Sequence, residues 1–121
     1  MASREPERVE YEGRVVAWLR KRLFEEDHPV YCGRGRISFE DVWLENAGSK
    51  KSSVIVTFRA PHRPGCLFGR REDAVGPPEP WEDPGDAPEL WAQMVWIWLE
   101  EDIQTSPGLL KGCDPGAVTW I

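Results

Sequence analysis

SSVIVTFRA, residues 52–60, alternates Val54, Val56 and Phe58 with Ile55, Thr57 and Arg59. Successive side chains of a strand point to opposite sides of a sheet, so this period of two, rich in β-branched and aromatic residues, predicts a strand with one buried face. Such a strand needs paired neighbours and a covering layer, and the flanking sequence offers both. VYC, RISFEDVWLE and CLFGRR read as further strands, separated by turns rich in Gly, Pro, Ser and Lys. Within SFEDVWLENAG, Ile37/Phe39 and Val42/Leu44 fall in opposite strand phases, which predicts a β-bulge near Asp41. The competing reading there is a short helix, capped by Ser38 and Asp41 and stopped by Gly48.

Two helices supply the covering layer. PERVEYEGRVVAWLRKRLFEED starts near Pro6, carries an apolar stripe of Val9, Val16, Leu19 and Leu23 widened by Val15 and Trp18, and ends at His28-Pro29. PELWAQMVWIWLEEDIQTS spreads Leu90, Trp91, Met94, Val95, Ile97, Trp98 and Leu99 over more than half its circumference. Trp96 falls between Ala92 and Glu100 on the remaining, polar side and is expected to be exposed. The strand face of Val54, Val56 and Phe58 is expected to meet Leu19, Leu23, Met94 and Trp98.

The fold class expected is α+β: a two-layer sandwich in which an antiparallel meander of three to four strands (36–46, 53–60, 65–70) is flanked by an N-terminal and a C-terminal helix, in α-β-β-β-α order. Residues 1–121 form a single domain, with an acidic proline-rich loop at 71–88 and a tail at 105–121 broken by Gly and Pro. The end of the tail, 118–121, adds a strand or docks as an apolar plug. Double-stranded-RNA-binding domains share this element order. The likeness ends there, because PELWAQ follows an acidic loop and offers no lysine to phosphate.

Charge is divided along the chain. Through Arg71 there are 14 Lys/Arg against 10 Asp/Glu, or +4; from Glu72 onward Lys111 stands alone against 11 acids, or −10. Net acidity disfavours nucleic acid and suits a basic protein partner, although the two halves also attract each other. Neither a secretory leader nor an apolar run of bilayer length is present, and three cysteines without tight spacing suggest free thiols. These features predict a cytoplasmic protein with no membrane partner, no zinc and none of the thiols bonded.

PHRPGCLFGRR echoes the earlier HPVYCGRGR, and the meander places both stretches at one end of the sheet. His28, Cys32, His62 and Cys66 are the right donors for zinc, but their spacing lacks the tight knuckles of a zinc site. Arg34, Arg36 and Arg63, beside Gly33 and Gly35, form an alternative anion pocket. Cysteine catalysis would need a base and oxyanion donors that the sequence does not identify. The reading is therefore a non-enzymatic, cofactor-free binding protein of immunity, inhibitor or adaptor type. Its acidic face of Glu79, Trp81, Glu82, Asp83, Asp86 and Trp96 covers a basic protein, and homodimerisation is compatible with the same composition. The alternative is an anion- or metal-binding module at the His/Cys/Arg end.

Overall fold

The computed structural model describes residues 5–26, 29–32, 35–48, 52–61, 63, 65–73, 87–105 and 117–120. In chain order these form α1 (Glu5–Arg20), prolonged by a π-helical turn (Lys21–Glu25), then β1 (Tyr31–Cys32), β2 (Gly35–Arg36), β3 (Ser38–Glu45), β4 (Ser53–Arg59), β5 (Leu67–Asp73), α2 (Ala87–Thr105) and β6 (Val118–Trp120). The fold is α+β: two helices, a mixed sheet in the order β3-β4-β5-β6, and a small β1-β2 sheet. Residues 74–86, the centre of the acidic loop, lie outside the described residues.

The stretch around Asp41 is a strand with a bulge. Phe39 pairs with Phe58 and Asp41 with Thr57, which leaves Glu40 as the extra residue. Arg20 of α1 donates to the Val42 carbonyl at 2.7 Å, while the Asp41 carboxylate accepts the Val42 N–H at 2.8 Å. Both backbone groups of Val42 are thus engaged by side chains, which blunts this edge of the sheet at the bulge. Beyond β3 the chain turns through Asn46 and Gly48, both at positive φ (57° and 84°). The Gly48 N–H donates to the fully buried Glu12 at 2.7 Å.

Glu12 also shows that the inner face of α1 differs from the expected stripe. Tyr11, Glu12, Val15 and Leu19 are buried, Val16, Trp18 and Leu23 are partly covered, and Val9 is exposed. A carboxylate that anchors a turn occupies the inner face, so the helix is rotated away from its purely apolar stripe. The chain leaves the helix at Glu26, whose backbone is already extended.

The sheet departs from an all-antiparallel meander at one edge. β6 pairs parallel to β5, Leu67 with Val118 and Gly69 with Trp120. A parallel neighbour requires a long crossover, and the connection through α2 provides it. The tail thus adds a strand. A Cβ on Gly69 would overlap the Trp120 indole, and Arg71 lies over that ring at 4.7 Å.

Val54, Val56 and Phe58 share one buried cluster with Val15, Leu19, Ala92, Val95, Leu99 and Ile103. Met94, expected in this layer, is on the far side of α2, and Trp98, also expected there, lies on its flank. Phe58 stacks on Phe68 at 6.0 Å and meets the edge of Phe39 at 6.2 Å. The opposite side of β4 is covered as well: Ser53, Ile55 and Thr57 are buried, and Ile55 has Trp43 and Arg71 as its cross-strand neighbours. Phe58→Ala is expected to destabilise the protein by about 3–5 kcal/mol, measured by denaturant unfolding. An unchanged midpoint would remove Phe58 from the core.

Candidate protein-interaction surface

α2 is built from a sequence with more apolar residues than one buried face can take. Ala92, Val95, Trp96, Leu99 and Ile103 recur at helical spacing and are buried. Leu90, Met94 and Ile97 lie on the opposite side and remain 61%, 43% and 45% exposed. Trp98, 36% exposed, flanks them and meets Trp91 edge-on at 6.1 Å. Glu101 continues the line after Ile97 by one more turn.

Trp96 is only 4% exposed, which corrects the expectation that it stands on the surface. The physical reason is Arg22. Its guanidinium lies 5.7 Å from the Trp18 ring and 5.4 Å from the Trp96 ring, and it bonds Glu26 at 3.0 Å. Phe39 covers another side of Trp96 at 6.3 Å. A Trp and an Arg four residues apart in α1 and its π-helical extension were the available signal, since i,i+4 residues share a helix face.

Ion pairs fix the ends of α2. Arg14 holds Glu89 through two bonds of 3.1 and 2.6 Å, and Arg70 bridges Glu72, at 2.8 Å, to Asp102. Both arginines belong to the basic half of the chain and their carboxylates to the acidic half, so part of the charge division is spent internally. Glu100 and Glu101 make no ion pair among the described residues, and the last turn of α2 has no basic residue. A helix C-terminus already carries partial negative charge, so these two carboxylates deepen a negative potential there. Of the other residues expected on the acidic face, Glu79, Trp81, Glu82, Asp83 and Asp86 lie outside the described residues.

The two His–Cys stretches do adjoin each other: a Cβ on Gly35 would overlap the Pro61 ring. Their chemistry differs from expectation. Cys32 is a free thiol buried in the core, and burial raises its pKa. Cys66 is disulfide-bonded, which overturns the expectation that no thiol is bonded. Cys113 lies outside the described residues. His28, His62 and Arg34 lie outside the described residues, and among those described no three His, Cys, Asp or Glu side chains are grouped to hold a metal.

Of the residues expected to form an anion pocket, Arg36 and Arg63 are among those described. Arg36 lines a cleft of about 230 Å³ with Leu23, Glu26, Ser38 and Phe39. Arg63 sits in the β4–β5 turn, its N–H bonded to Ala60 and its carbonyl to the Cys66 N–H. Arg59, next to this turn, is held by Glu40 at 2.6 Å. No described helix is long and apolar enough to cross a membrane. Comparison with protein-family models, curated proteins and solved structures gives no match.

The cysteine arrangement has a direct readout. Unfolded, unreduced protein is expected to show one reactive thiol and reduced protein three, while the folded protein reacts slowly because the Cys32 thiol is buried and its thiolate disfavoured. Three reactive thiols before reduction would contradict the disulfide.

Proposed function

We propose that this protein acts by binding another protein, and that its contact surface is the outer side of α2. The observation that carries the reading is the exposed line of Leu90, Met94 and Ile97, with Trp98 beside it, on a helix whose other side is fully engaged in the core. Full burial of such a side chain from full exposure is worth about 1.5–3 kcal/mol, so these, about half exposed, gain roughly half of that each, enough for a few of them together to dominate an interface. The C-terminal end of this line is acidic, from Glu100 and Glu101, and the chain as a whole carries a net charge of −6, so a basic partner is favoured in encounter and in orientation. An inhibitor, immunity protein or adaptor works in this way, by covering a partner without chemistry of its own. The anion-binding alternative has less to stand on, since Arg36 shares its cleft with the Glu26 carboxylate and Arg59 is already taken by Glu40.

A photo-reactive residue at position 97, compared with one at the exposed Ala17 of α1, tests this in cells or extract. The expected result is a discrete adduct with a basic protein from position 97 alone, weakened as salt rises from about 0.1 M to about 1 M, where the screening length falls from roughly 10 Å to 3 Å. Identical adducts from both positions, or an acidic partner, would contradict it.

A further inference from the structure

Resting on that reading, we infer the form of the partner: an α-helix with lysine or arginine beside an apolar stripe, laid antiparallel along α2. Leu90, Met94, Ile97 and Glu101 follow at spacings of four, three and four. This is a narrow seam of the kind that receives another helix, rather than a broad apolar patch. It runs about 16 Å at 1.5 Å per residue, or three turns. Beside it, the exposed face of Trp98 offers a surface on which a guanidinium or ammonium can stack.

Charge sets the orientation. At the N-terminal end of α2, Glu89 is already satisfied by Arg14. At the C-terminal end, Glu100 and Glu101 add to the negative pole of the helix, and the last turn supplies no cation. An antiparallel partner brings its own positive N-terminal pole and its basic side chains to that end. A second copy of this chain does this poorly. In a symmetric antiparallel pair centred between Met94 and Ile97, Leu90 of each copy faces Glu101 of the other, and the nearby Arg14 is taken by Glu89. A parallel pair would set Glu100 and Glu101 against their own copies.

Two dye-labelled synthetic helical peptides of about five turns, with the same leucine pattern and either lysine or glutamate at the remaining positions, test the inference by fluorescence anisotropy with the whole protein. The lysine peptide is expected to bind at least about tenfold more tightly than the glutamate peptide. Met94→Ser with Ile97→Ser should weaken it a further tenfold or more at an unchanged thermal midpoint, and Glu100→Gln with Glu101→Gln should weaken it severalfold and flatten its salt dependence. A photo-reactive group at the peptide's N-terminus should mark residues around Glu101. Equal affinity for both peptides, binding insensitive to the serine substitutions, or labelling around Leu90 would overturn the inference. So would a dimer in light scattering that Ile97→Ser dissociates. The adduct from position 97 survives if only the helical form of the partner is wrong, so the two failures can be told apart.

Discussion

Arg22, held between the rings of Trp18 and Trp96, fixes how α2 sits on the rest of the molecule. Cation–π contacts of this kind contribute about 1–2 kcal/mol each when partly removed from water. α2 has two sides apolar enough to be buried, and the sandwich favours the one that carries Trp96. Once Trp96 is turned inward beside Ala92, Val95 and Leu99, the helical period leaves Leu90, Met94 and Ile97 facing outward. Arg14 and Glu89 reinforce the same rotation one end of the helix away. These contacts pair residue 14 with 89 and residue 22 with 96, so α1 and α2 run side by side in the same direction. The exposed surface is a consequence of packing chosen elsewhere.

The sheet beneath is held by polar contacts from α1 as much as by its own ladder. Arg20 blunts the bulged edge at Val42, and Glu12 ties down the turn at Gly48. A buried carboxylate left without its partners would be costly, so the contact commits α1 to one position over β3 and β4. At the other edge, β6 is reached only through α2, so the helix that carries the candidate surface also delivers the last strand. Burial of both sides of β4 follows from Trp43, Arg71 and the Trp120 indole lying over Gly69.

Much of this was legible in the sequence because it depended on local pattern. Alternation around Val56 marked the central strand, and the phase change between Phe39 and Val42 located the bulge within one residue. What was illegible depended on partners distant in sequence. Trp96 read as exposed because its helical neighbours Ala92 and Glu100 are weakly apolar or charged, while Arg22 and Phe39, which bury it, belong to other elements. Val9 read as core because nothing local revealed that Glu12 would be drawn inward by Gly48. The parallel pairing of β6 likewise needs long-range proximity, and nothing in the cysteine spacing announced the disulfide at Cys66. The exposed seam lies in the acidic second half of the chain; of the residues expected on the acidic face, Trp96 is buried and the others lie outside the described residues.

The account turns on which side of α2 faces water. Methyl NMR with a soluble paramagnetic probe reads this directly, at protein concentrations low enough to exclude self-association. Strong relaxation enhancement is expected at the methyls of Leu90, Met94 and Ile97, with little at Val95, Leu99 and Ile103. Protection of Met94 and Ile97 to the level of Val95 would contradict the account, since α2 would then be turned the other way and the proposed surface would be buried.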